Sequence, residues 1–169
     1  MDRLRENVSV VEEAISPHDT TITSWDVGRQ ALAEARTYWL STGRPGGQPH
    51  VRPHFAVWVG HALYFSSNLA ARKAQNLATD SRCAISTQSG GLDFVVEGEA
   101  KRVTDEATLQ RVADAYIAKY EWPVTVSDGA FDAPFGAPTA GQPPYHVFEV
   151  TPATIYGFGN GPVTRWRFT

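Results

Sequence analysis

The stretch YFSSNLAARKAQNLATD, residues 64–80, decides how the rest of this chain is read. Tyr64 and Phe65 end an apolar run that begins at Ala62, and Ser66, Ser67 and Asn68 interrupt it. The pattern predicts a strand, a polar turn and the opening of a helix. Any of the three polar residues can cap that helix, because a short side-chain oxygen accepts from an unpaired backbone N–H. Arg72 and Lys73 fall close to the helix start, where the helix dipole favours acids over cations. Hydroxyls, free N–H groups and two cations form a receptor for an anion, most naturally a phosphate. Asn76 lies one turn beyond Arg72 on the same face and adds a contact. An ordinary amphipathic helix fits the same letters, with Ala70, Ala74 and Leu77 buried and both cations solvated. The local pattern leaves both readings open.

Bulk properties bound the alternatives. A chain of 169 residues with 42% hydrophobic and 20% charged residues has a globular composition and enough length for one sizeable core. Its formal net charge of −3 argues against a general nucleic-acid or membrane-surface binder, so cations act locally if they act. The single cysteine, Cys83, makes neither an internal disulfide nor a cysteine metal cage. No apolar run is long enough to span a bilayer and the polar N-terminus does not resemble a secretory signal, so the cytoplasm is the expected compartment.

In chain order, residues 1–23 are weakly patterned and read as an N-terminal arm, with residues 24–169 forming the domain. Ser24 to Glu34 reads as a short capped helix and Arg36 to Thr42 as a strand. The turn GRPGGQ, residues 43–48, joins that strand to a second from Pro49 to about Val59, making a hairpin. On the second strand His50, Arg52, His54, Ala56 and Trp58 share one face. Two histidines there invite a metal reading, but no further ligands lie nearby in sequence, and no metal is expected. The remaining readings are a half-exposed strand or a polar cleft wall that meets a planar ligand.

Further strands are expected at 62–65, 82–87 and 93–103, where Phe94, Val96, Gly98 and Ala100 face inward. Gly98 suits a barrel bend or a close ligand approach. Thr104 or Asp105 caps a helix reaching about Tyr120, in which Tyr116 and Tyr120 read as packing residues. Residues 121–144 form a long Pro-, Gly- and aromatic-rich loop, with Phe131 and Phe135 read either as a lid over an apolar substrate or as anchors to the surface. Strands return at 145–150, 153–158 and 163–168. Many strands and few helices predict a mainly β, α+β domain built on an antiparallel barrel.

The ordered segments WLSTGRPGGQPHVRPHFAVW (39–58), LYFSSNLAARKAQNLATDSRCAIS (63–86), FVVEGEAKRVTD (94–105) and the terminal TRWRF resemble the pyridoxamine 5′-phosphate oxidase-like split barrels, a flavin and deazaflavin oxidoreductase superfamily. The resemblance implies a split β-barrel homodimer with FMN or coenzyme F-420 between its subunits. It implies that Ser66, Ser67, Arg72 and Lys73 hold the cofactor phosphate with support from Asn76. Arg52, Pro53, His54 and Phe55 then lie along the flavin ring, and Arg165 and Trp166 reach toward the cofactor. The terminal region lacks the fuller Arg- and His-containing signature that reads pyridoxal phosphate. The implied activity is therefore hydride transfer to or from a small conjugated molecule, with His54 as candidate proton donor. A non-catalytic flavin- or haem-binding split barrel is the competing reading.

Overall fold

Residues 8–169 are described by a computed structural model. Among these residues period-two patterning resolves into eleven strands and period-3.6 patterning into three helices. In order these are β1 (Val10–Ala14), α1 (Trp25–Glu34), β2 (Tyr38–Gly43), β3 (Pro49–His54), β4 (Val57–Val59), β5 (Ala62–Ser67) and α2 (Arg72–Thr79). There follow β6 (Arg82–Ser89), β7 (Leu92–Val103), α3 (Glu106–Tyr120), β8 (Thr125–Ser127), β9 (Ala130–Asp132), β10 (His146–Phe158) and β11 (Val163–Phe168). The main sheet runs β1-β11-β10-β7-β6-β2-β3, with β5 pairing both β10 and β4, and every pairing is antiparallel. The chain is mainly β with helices attached, as the pattern predicts. No helix among the described residues is long and apolar enough to cross a membrane.

One strand bends the sheet. The first half of β10, His146–Val150, pairs β5, while Thr154–Phe158 pairs β11, and β7 follows both halves. The register shifts at Pro152–Thr154, so the two strands expected at 145–150 and 153–158 are a single bulged strand. Gly98 lies opposite the bulge, and a Cβ there would run into the Thr151 carbonyl. The close approach that its missing side chain permits is to backbone.

Alternation along β5 divides the interior. Leu63 and Phe65 enter one cluster with Leu32, Tyr38, Leu40, Ile85, Phe94 and Trp166. Ala62 and Tyr64 enter a second, under α3, with Leu109, Val112, Tyr116 and Phe131. A strand buried on both faces reads as an unbroken apolar run, which is what ALYF is. Phe131 is fully buried in β9 and so packs the core, whereas Phe135 stands exposed on the loop beyond it.

Two further readings change. Of the expected arm, residues 1–7 lie outside the described residues, and Val10–Ala14 is an edge strand paired with β11. The strand expected from Pro49 to Val59 is two strands, because Phe55 and Ala56 leave the ladder between β3 and β4.

Candidate functional site

The ends of β3 and β5, the start of α2, the last turn of α3 and the loop 135–140 enclose a cavity of about 490 Å³. One wall is polar and comes from the stretch that opens the sequence reading. Its residues are Ser66, Ser67, Asn68 and Lys73, with His54 and Thr37 beside them. Asn68 shapes the turn: its Oδ1 accepts from Ala70 N–H at 2.8 Å, and its Nδ2 donates to Gln142 O at 2.8 Å on the loop. The helix itself begins at Arg72 behind Ala71, and no side chain caps it. Its first-turn N–H groups are therefore without a side-chain partner.

The opposite wall is a run of touching aromatic rings. Phe55 stacks on Tyr120 at 4.3 Å, Tyr120 meets Tyr116 at 5.8 Å, Tyr116 meets Trp122 at 5.6 Å, and Trp122 meets Tyr145 at 5.7 Å. The polar hydrogen of each of the last four is spent on a backbone carbonyl. Tyr116 donates to Phe55 O at 2.9 Å, Tyr120 to Ala56 O at 2.9 Å, Trp122 to Phe135 O at 2.7 Å and Tyr145 to Gly141 O at 2.8 Å.

Charge in the cavity is sparse and positive. Among the described residues Lys73 is its only charged lining residue, and no carboxylate joins it. Burial, and then the Arg52 guanidinium, hold the Lys73 ammonium below the usual lysine range. His54 is half-buried; its Nε2 is buried with no partner, and its ring lies 5.3 Å from that of Phe65. Burial, with a smaller contribution from Lys73, pushes its pKa down to about 3. Such an imidazole is neutral at physiological pH. His54 therefore stands here as a neutral hydrogen-bonding group rather than an imidazolium.

The remaining predicted residues divide. Pro53 and Phe55 line the cavity with His54. Arg72 is exposed and outside the lining, so the expected pair of cations parts at the cavity wall. Arg52 is exposed, its Nη1 donating to Val51 O at 2.7 Å. Asn76 is buried against β2, where its Nδ2 donates to Thr42 Oγ1 at 2.9 Å, so it braces the helix rather than facing the cavity. Arg165 pairs with Glu13 at 2.8 Å. Trp166 is fully buried, with its Nε1 donating to Thr23 O at 3.1 Å and its ring held where Cβ atoms at Gly28 and Gly157 would collide with it. It is a core residue and cannot reach a ligand. Sequence reasoning read Phe135 as one half of a possible lid, and it does line the cavity, but it missed Trp122 and Tyr145 as site residues and placed Tyr116 and Tyr120 in packing alone. The aromatic enrichment of residues 121–144 was the available signal.

A flavin mononucleotide is a planar ring system joined to a phosphate, and these walls fit both parts. Lys73, the two serines and the uncapped helix start suit the phosphate, the orphaned His54 Nε2 suits a polar group, and the aromatic wall suits a flat ring.

Comparison with known proteins agrees with this construction. The family model described as pyridoxamine 5′-phosphate oxidase matches residues 25–159. None of the curated proteins compared with the chain matches it. Among solved structures, a NimC/NimA family protein from Clostridium acetobutylicum superposes with a TM-score of 0.62 at 18% identity, covering 83% of this chain and 93% of that one. A protein described as F420 reductase gives 0.53 at 21% identity, covering 75% and 94%. An FAD-binding protein from Mesorhizobium loti gives 0.59 at 14% identity, covering 96% and 98%. At these identities the structural likeness is one of fold. The family match spans both walls of the cavity, from α1 to the end of β10, and on it this chain belongs to the pyridoxamine 5′-phosphate oxidase family.

Proposed function

We propose that this chain is an oxidoreductase that holds a flavin-type cofactor, FMN or coenzyme F-420, in the cavity between the Ser66–Lys73 turn and the aromatic wall. The observation that carries the reading is one half-buried cation beside two serines and an unpaired imidazole nitrogen, facing a run of aromatic rings. A flavin or deazaflavin, when bound, supplies the centre that gives or accepts a hydride from a small conjugated molecule. Lys73 and the α2 start neutralise the phosphate, His54 Nε2 meets a polar group of the ligand, and the aromatic wall excludes water. The neighbours described as F420 reductase and as FAD-binding are in keeping with this use of the fold.

The working unit in this reading is a homodimer. The β2–β3 register sets Trp39 beside Pro53 and Ser41 beside Val51 on the outward face. Trp39, Val51 and Phe55 are 47%, 42% and 52% exposed there, and Phe55 continues into the cavity. An apolar band that runs to the cavity mouth suits a second copy.

The test is the absorbance spectrum and extracted-ligand mass of the purified protein, followed by titration with each cofactor and by light scattering. A bound flavin or deazaflavin, or saturable binding of either, on a dimer is the expected result. A Soret band would favour the haem-binding alternative. Failure to bind either cofactor removes the proposal, and a monomer at micromolar concentration removes the dimer.

A further inference from the structure

One segment of the cavity wall is held more lightly than the rest. The loop 133–144 leaves the core after Phe131 and returns at Tyr145, two buried residues that exchange both backbone bonds at 2.8 Å. From 132 to 144 no residue is buried, and Phe135 is 59% exposed. A closed base under a thinly packed span can open without unfolding the domain. Yet this span supplies Phe135 to Ala140 to the cavity, so its position decides whether the cavity is covered.

Two side chains from outside the loop tie it down. Trp122 Nε1 donates to Phe135 O at 2.7 Å on the outgoing limb, and Asn68 Nδ2 donates to Gln142 O at 2.8 Å on the returning limb. The two ties are unlike. Trp122 is set among the rings of Tyr116 and Tyr145, at 5.6 and 5.7 Å. Asn68 is the centre of the turn between β5 and α2. Its Oδ1 accepts from Ala70 N–H at 2.8 Å, and its carbonyl accepts from Ala71 N–H at 3.1 Å and from the Ser67 hydroxyl at 3.0 Å. Ser67 and Lys73, on either side of it in sequence, line the cavity. An anion seated there competes for the same Ser67 hydroxyl proton that serves Asn68 O. Occupancy of the turn and the set of Asn68 therefore act on each other.

We propose that Asn68 is a latch, which holds the 133–144 loop as a cover over the cavity and makes its closure depend on an anion in the Ser67–Lys73 turn. This rests on the reading of that turn as a phosphate seat and adds a positioning role for Asn68 within it. By linkage, an anion that favours the closed cover is held more tightly once the cover is closed.

The test is limited chymotrypsin cleavage after Phe135 in the native full chain, with the site identified by fragment mass. Where opening is fast relative to cleavage, the rate tracks the open population. Asn68→Ser keeps a short oxygen for Ala70 N–H but is too short to reach Gln142 O. It should speed cleavage roughly two- to tenfold, the scale of one hydrogen bond, with the denaturant midpoint unchanged. Trp122→Phe, which loses the other tie and keeps an aromatic ring, should also speed cleavage. The two variants part when ligand is added. Inorganic phosphate, and separately FMN, should slow cleavage in wild type and in Trp122→Phe but not in Asn68→Ser, with protease activity normalised on a peptide substrate in the same buffer. Cleavage of Asn68→Ser at the wild-type rate overturns the latch. Equal protection by FMN in wild type and Asn68→Ser, or none in wild type despite binding, overturns the coupling and leaves the flavin reading intact. Protection by phosphate alone, with no FMN binding by calorimetry, overturns the flavin reading and leaves the latch standing.

Discussion

Replacing Lys73 with methionine should move binding and stability in opposite directions. In the free protein its ammonium is half-buried, with no carboxylate among the described residues of the cavity lining, and it is held below the usual lysine range by burial and then by Arg52. It also stands in the first turn of α2, where the helix dipole disfavours a cation. Methionine keeps most of the stem and removes the charge, so the ligand-free Lys73→Met protein should be as stable as wild type or more so. With ligand the sign reverses. A charge-assisted hydrogen bond to a phosphate is worth about 1.5–3 kcal/mol, so FMN affinity should fall by roughly 10- to 150-fold. Arg72→Ala removes a neighbouring charge that is exposed and outside the lining; exposed ion pairs contribute about 0–1 kcal/mol, which predicts a loss of about fivefold at most. Denaturant unfolding without ligand and calorimetric titration with FMN measure both quantities. A ligand-free Lys73→Met protein destabilised by more than about 1 kcal/mol would refute the assignment, since methionine cannot replace a structural ammonium. An affinity loss for Arg72→Ala matching that for Lys73→Met would refute the separation of the two cations.

Lys119 sits behind the aromatic wall, donating to Ala33 O, Tyr38 Oη and Ala56 O at 2.7, 2.9 and 3.0 Å, and burial, then Arg36, push its pKa down to about 8. Between pH 8 and the ordinary lysine value the unfolded chain keeps a proton that the folded chain has released. Wild-type stability should therefore gain relative to Lys119→Met as pH rises from about 8 to 9.5; denaturation curves in which the difference stays flat or falls would contradict this. Gly157→Ala should cost about 1–3 kcal/mol through overpacking. The new Cβ would stand 2.6 Å from the buried Trp166 ring, whereas Gly43→Ala meets nothing within 4 Å and should fall within about 0.5 kcal/mol of wild type in the same denaturation assay.

Much of the fold was legible in local pattern. The GRPGGQ turn announces the β2–β3 hairpin, Asp105 caps α3 by accepting from Thr108 N–H at 2.8 Å, and the alternation of Phe94, Val96 and Ala100 marks the inner face of β7. Burial by distant neighbours was not legible. Asn76 has the right helical spacing to join Arg72, yet Thr42, 34 residues earlier, takes its amide. Trp166 belongs to a segment that resembles a ligand-reaching terminus, but it fills a space that Gly28 and Gly157 leave open. Lone glycines at those positions signal nothing until the strand pairing brings them to the same ring. The two cations of α2 could not be told apart either, because only the closure of the cavity decides that Lys73 is inside and Arg72 outside.

The cavity itself arises from a break that period-two patterning conceals. His54, Phe55, Ala56 and Val57 continue an apparently unbroken strand, yet the backbone at Phe55 and Ala56 leaves the ladder. Carbonyls released from a sheet need other donors. Tyr116 supplies one to Phe55 O at 2.9 Å, while Lys119 and Tyr120 supply two to Ala56 O at 3.0 and 2.9 Å. Tyr120 Oη in turn accepts from Ala56 N–H at 3.2 Å. The last turn of α3 thus replaces the missing ladder, and in doing so it sets Tyr116 and Tyr120 into the cavity wall with Phe55 stacked on Tyr120. Those three donors are separated from their acceptors by 61–64 residues, so neither segment alone announces a site. The same bonds that repair the break use the hydroxyl protons of Tyr116 and Tyr120, so both rings are fixed in the wall by the backbone they repair.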